Sequence, residues 1–137
     1  MYEVGDIFEE EVTFTREMVK KFAEATGDTN PIHLNDEFAA NTSYGRTIVH
    51  GTFVVAQFTK LFGTVYPGPG TIVRKREVTF IRPVFVGESY KMVYKVVSIS
   101  YQTHSVVFKC FLKNEKGKNC IMMTSDLINE KYYSNKS

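Results

Sequence analysis

No run of about 18 apolar residues occurs anywhere in the chain, which excludes a membrane-spanning helix from the reading. No hydrophobic run opens it either, so the cytoplasm is the expected compartment. Charge of one sign is also missing. The 17 basic and 15 acidic residues are spread along the sequence for a formal +2, leaving no basic stripe for nucleic acid. Cysteine is scarce: Cys110 and Cys120 lack metal-ligand spacing, lie in strand-like segments and read as two reduced core thiols. Internal repeats and low-complexity tracts are absent. What remains is a 137-residue chain long enough for one domain, 1–137, with a substantial core.

Residues 6–14 read as a short extended lead-in to a helix that Thr15 caps, with Phe14 and Val19 placed as a hydrophobic staple and Gly27 as its stop. A second short helix is expected from Asp36 to about Ser43, capped by Asn35. The stretch from Gly51 to Phe62 is apolar on nearly every side, which predicts a buried helix. After the Pro67-Gly68-Pro69-Gly70 turn the pattern becomes β, roughly 71–82, 88–100, 103–114 and 118–130, read as an antiparallel meander. Pro83 implies a bulge or an edge in the first of these. The tail, Tyr132 to Ser137, reads as frayed. One hydrophobic helix followed by an antiparallel sheet gives an α+β class, with the sheet wrapped around the helix.

The densest chemistry lies in residues 27–33, Gly-Asp-Thr-Asn-Pro-Ile-His. Asp28 and His33 stand five positions apart, a spacing that a continuous helix would point in different directions. Proline pushes Asn30 extended, so the chain turns and can bring carboxylate and imidazole to one point. Turn chemistry alone also accounts for Asp, Asn, Pro and His in a loop.

The run from Phe22 to His33, with Ala39 six residues further on, resembles the hydratase motif of the MaoC-like, (R)-specific enoyl-CoA hydratase family. Ile48-Val49-His50-Gly51 resembles the segment that opens the family's central helix. Phe80-Ile-Arg-Pro-Val-Phe-Val-Gly-Glu88 resembles its strand-kink segment, with Glu88 where Asp is common. The resemblance implies a single hot-dog domain, a homodimer or higher oligomer, and syn hydration of a trans-2-enoyl thioester to the (R)-3-hydroxyacyl thioester. It implies no metal or redox cofactor, coenzyme A being part of the substrate.

Such a hydration needs a base for water, an acid for the α-carbon and a donor for charge on the carbonyl oxygen. By resemblance a buried Asp28–His33 pair holds the catalytic water, and Asn30 shapes the loop or bonds the water or thioester. Gly51 offers a backbone N–H at a helix start, where a thioester can approach closely. Thr59 corresponds to a hydroxyl that supports the catalytic Asp in the family, although helical threonines often bond their own backbone. His50 could join Asp28 and His33 around a metal, but the family match accounts for that pair without one. Arg74, Lys75 and Arg76 form the densest basic cluster, which reads as a solvated face before it reads as a site for coenzyme A phosphates, and His104 reads as a surface hairpin residue. The rival expectations are a 3-hydroxyacyl-[acyl-carrier-protein] dehydratase, a non-catalytic acyl-CoA-binding module and, more remotely, a hot-dog thioesterase.

Overall fold

The computed structural model describes residues 2–131, so the expectation for the tail from Tyr132 lies outside the described residues. Its elements run β1 (Ile7–Thr13), α1 (Arg16–Thr26), α2 (Pro31–Leu34), α3 (Asp36–Ala40), α4 (Gly51–Thr64), β2 (Ile72–Phe80), β3 (Ser89–Ser100), β4 (Ser105–Lys113) and β5 (Asn119–Ile128). Local signals account for most boundaries. Thr15 accepts a hydrogen bond from the Met18 N–H at 3.2 Å, and Gly27 ends α1 in the left-handed region at φ 78°, which only glycine adopts without strain. Asn35 caps α3 through the Phe38 N–H at 2.9 Å. The short helix α2 was not anticipated. Asn30 caps it, accepting from the Ile32 N–H at 3.2 Å, and Pro31 occupies its first position, where the missing N–H is no loss.

The five strands form one antiparallel sheet in the order β1-β3-β4-β5-β2. β3, β4 and β5 are the expected meander. β2 is not next to β3 as a simple meander requires; it crosses to the far edge and pairs with β5. It stops at Phe80, short of Pro83, as an edge strand. His104 is half-buried in the β3–β4 turn rather than on the surface, and its carbonyl accepts the Asn129 N–H at 2.9 Å. Both cysteines are free and buried, on or beside the inner rows of β4 and β5.

The helix α4 carries the core. Val54, Phe58 and Phe62 follow one another at four-residue steps and are all fully buried, so one stripe of the helix faces the sheet. The Phe58 ring meets Tyr94 edge-on with centroids 5.3 Å apart, and Phe62 meets Phe108 at 4.9 Å. The wrapped α+β arrangement therefore rests on aromatic contact between a single helix and alternate residues of β3 and β4. Replacing Phe58 with Ala should cost about 3–5 kcal/mol, the range for an emptied aromatic core site. A urea titration that gave a stability loss of less than a quarter of that would show that α4 is not the element on which the sheet depends.

Candidate active site

Asp28 follows the glycine stop of α1, and its main chain is held there by its N–H donating to Thr26 Oγ1 at 3.2 Å. Its carboxylate accepts the Asn30 N–H at 3.4 Å. Asn30 in turn spends its side chain on the α2 cap, so it shapes the loop. One turn into α2, His33 Nδ1 lies 2.8 Å from the Ile48 carbonyl. A carbonyl only accepts, so Nδ1 carries the proton and Nε2 is left with the lone pair.

His50 caps the start of α4 with its backbone and is almost wholly buried, 1% exposed at its side chain. Its Nε2 donates to the Asp28 carbonyl at 3.0 Å and lies 3.9 Å from the Asp28 carboxylate. The His50 ring stacks on His33 with centroids 3.8 Å apart and an angle of 27°, and Phe22 supports it from another side. His50 Nδ1 is buried with no hydrogen-bond partner among the described residues. One polar atom from each of Asp28, His33 and His50 falls within 4.8 Å of the others. A single water spans that separation with two ordinary hydrogen bonds. A metal fits less well: His33 Nδ1 and His50 Nε2 already face carbonyls, and stacked rings aim their in-plane lone pairs side by side instead of at one point.

Asp28 is not buried, contrary to expectation: its side chain is 49% exposed, because the loop past α1 lies at the open mouth of a cavity of about 530 Å³. Gly51 lines the same cavity as the first residue of α4, and no described group accepts its N–H. The open space expected beside its Cα is taken. A Cβ added there would lie 2.8 Å from Phe80 Cδ1 and nearer still to Cε1, so the Phe80 ring rests on the glycine.

Thr59 does not support Asp28. Its hydroxyl donates to the Val55 carbonyl at 3.2 Å, the self-satisfying bond of helical threonine, and accepts from Arg76 Nη2 at 2.9 Å. The basic cluster is divided too. Arg74 pairs with Asp126 at 3.1 Å, whereas Arg76 turns inward to Ser125 and Thr59.

Several lining residues carried no earlier assignment. Tyr44, Phe80 and Arg82 line the cavity. Glu88, which stands where the resemblance has Asp, binds Arg46 and accepts from the Tyr90 hydroxyl at 3.1 Å, while Arg46 lies 3.8 Å over the Phe85 ring. Its signal lay in the third motif, where an acid recurs, although the sequence does not name its partners.

Burial holds the His33 pKa below its ordinary 6.5, and the nearby His50 pushes the same way, against the Ile48 hydrogen bond and Asp28. His33 is thus neutral at pH 7. Because its folded value is the lower one, the unfolded chain binds the proton first as pH falls below 6.5, and His33 costs stability only there. An NMR titration should place the His33 midpoint under 6.5, and His33→Gln should flatten the loss of stability below that pH. A midpoint at or above 6.5 would contradict this electrostatic description.

A family model described as MaoC like domain matches residues 5–112. The chain is 38% identical over 78 residues to a 3-hydroxybutyryl-CoA dehydratase of Methylorubrum extorquens, covering 57% of this chain and 50% of that protein. It is 43% identical over 70 residues to an (R)-specific enoyl-CoA hydratase of Aeromonas caviae, covering 51% and 52%. The matches thus span about half the length of these two relatives. Over a longer stretch it is 25% identical to a mitochondrial 3-hydroxyacyl-[acyl-carrier-protein] dehydratase of Arabidopsis thaliana, 87% of this chain and 70% of that one. Among solved structures, the (R)-hydratase from A. caviae involved in PHA biosynthesis superposes with a TM-score of 0.87 at 28% identity, over 93% of this chain and 96% of that one. An R-hydratase of Pseudomonas aeruginosa gives 0.85 at 30% identity, over 93% and 81%.

Proposed function

This chain belongs to the family of MaoC-like domains, and from that membership we propose that it is an (R)-specific enoyl-CoA hydratase. The reaction is the reversible syn addition of water across a trans-2-enoyl-CoA. The observation that carries this reading is the spacing of Asp28 and His33 at one cavity mouth, close enough to share a water, beside the uncommitted N–H of Gly51.

The mechanism follows from the protonation states. Neutral His33 presents the Nε2 lone pair to the water, and Asp28 accepts the water's other hydrogen. As the water oxygen bonds C3, its proton passes to Nε2 and electron density moves to the thioester oxygen. The Gly51 N–H at the positive end of α4 meets that charge. Protonated His33 then returns the proton to C2 on the same face, so one water supplies both added groups. His50 positions the pair, its Nε2 holding the Asp28 main chain while its ring backs His33. No electrons are transferred overall, so the step calls for no redox cofactor, and coenzyme A enters as part of the substrate. Run backwards, the same groups dehydrate a 3-hydroxyacyl thioester, and the long match to an acyl-carrier-protein dehydratase favours that as the second reading.

The protein is proposed to act as a cytoplasmic homodimer. No helix of the described residues is long and apolar enough to cross a membrane. The β2 edge exposes Ile72 at 65% and Phe80 at 56%, beside unpaired backbone groups that a second copy would cover. Light scattering at micromolar concentration should give twice the 15.7 kDa chain mass; a monomer would remove the dimer.

Asp28→Asn and His33→Gln should each lower crotonyl-CoA hydration by roughly two to four orders of magnitude, read from loss of enoyl-thioester absorbance. The double variant should be little worse than the worse single, because both groups act on one water. Near-normal turnover by either folded single variant would overturn the mechanism.

A further inference from the structure

Arg76 is a half-buried cation with no anion beside it among the described residues. It sits on β2, turned inward, with Nε donating to Ser125 Oγ at 3.1 Å and Nη2 to Thr59 Oγ1 at 2.9 Å. Two neutral hydroxyls are its hydrogen-bond partners, and no ion pair forms at Arg76 among the described residues. The neighbouring acids are committed elsewhere. Asp126 pairs with Arg74, and Glu77 follows Arg76 on the strand and so points to the opposite face. A second copy pairing through the β2 edge would likewise present its Glu77 on that opposite face. Burial pulls the Arg76 pKa down from its ordinary value, yet a guanidinium stays charged in proteins. A half-buried charge without a counterion is costly, and Arg is well suited to receive a carboxylate in bidentate geometry.

The place of Arg76 relative to the proposed chemistry is fixed by two independent contacts. At one end α4 meets β2 where Phe80 rests on Gly51; at the other, Thr59 meets Arg76. Eight helical steps separate Gly51 from Thr59, about 12 Å, and four strand steps separate Phe80 from Arg76, about 13 Å. The agreement means that helix and strand run alongside one another between these points. Partly buried Val55 and Val78 lie between the two contacts, so the seam is apolar along its length. Phe80 closes its upper end, so a chain entering the seam would have to turn that ring aside about its side-chain torsions.

We propose that this seam receives the acyl chain and that Arg76 binds a carboxylate at the chain's far end, which makes the preferred substrate the monothioester of an unsaturated dicarboxylic acid. The inference rests on the hydratase reading. An extended chain advances about 1.2 Å per bond, so the seam fits about ten bonds between thioester and carboxylate. The guanidinium also makes the seam a poor end for a plain alkyl chain, whose terminal methyl would meet a half-buried charge.

The test compares trans-2-enoyl-CoA substrates of six to twelve carbons in pairs, one ending in methyl and one in carboxylate, on the intact protein. The wild type should favour the carboxylate member by at least about tenfold in kcat/KM at ten to twelve carbons, an amount in keeping with one charge-assisted hydrogen bond. Arg76→Gln should bring that ratio close to one, and Arg76→Lys should keep part of it because the charge remains. If the wild type hydrates the methyl-ended series with no advantage for the carboxylates, this assignment fails while the hydratase reading stands. If it hydrates no enoyl thioester at all, both fail. A ratio that survives in folded Arg76→Gln also overturns the assignment, and the wild-type ratio decides the matter even if that variant does not fold.

Discussion

The candidate site depends on the main chain at Ile48 and Val49, a short stretch whose hydrogen bonds tie three segments far apart in sequence. The Ile48 carbonyl faces His33 Nδ1, and the Ile48 N–H donates to the Ile32 carbonyl at 3.2 Å. One residue on, the Val49 N–H donates to the Val84 carbonyl at 2.7 Å, with Ile48 bridged to Phe85. His50 and Gly51 follow directly. The arrangement therefore sets where α2, the start of α4 and the segment after β2 stand relative to one another. Buried backbone groups must be paired, so a shift of this segment would break several bonds together. That constraint gives the cavity mouth a single geometry, although it is assembled largely from short helices and connecting segments.

Protonation states follow from the same bonds. Two imidazoles stacked at 3.8 Å would repel if both were charged, and each has one nitrogen committed to a carbonyl. Those carbonyls select opposite tautomers: Nδ1–H on His33 and Nε2–H on His50. His33 is left with its lone pair on Nε2, the nitrogen farther from its own backbone. The unpartnered Nδ1 of His50 costs stability, as an unsatisfied buried acceptor does. It is the consequence of using Nε2 to hold the Asp28 main chain. The arrangement thus exchanges one unsatisfied atom for a fixed carboxylate loop.

Much of this was legible because the determinants are local. A left-handed glycine, the Asn35 cap and an Asn-Pro step announce the end of α1, the loop carrying Asp28 and the start of α3, and no distant contact is needed to read them; the second asparagine cap, Asn30 on α2, was missed. The hydrophobic run of α4 announced a buried helix for the same reason. What could not be read is non-local. Nothing in β2 states that it crosses to the far edge beside β5, because pairing choice depends on the whole sheet. Thr59 was matched to Asp28 by family correspondence, yet the residue that reaches it, Arg76, is 17 positions away on that crossing strand. The exposure of Asp28 was equally hidden, since burial is set by what covers a loop rather than by its composition.

Gly51 shows how one position serves packing and chemistry together. The Phe80 ring occupies the volume a side chain would need, so any larger residue here would have to displace that ring before any substrate is considered. The ring in turn walls the cavity into which the N–H of the same residue is available. Packing against Cα and hydrogen bonding through N are directed from different atoms and do not compete. Val55 and Val78, behind the ring, pack against the core, so the aromatic ring continues an apolar contact between helix and strand. A glycine at the head of a buried helix thus lets an edge strand seal against that helix without covering its positive end. The fold can then hold a polar mouth and an apolar seam on the two sides of a single residue.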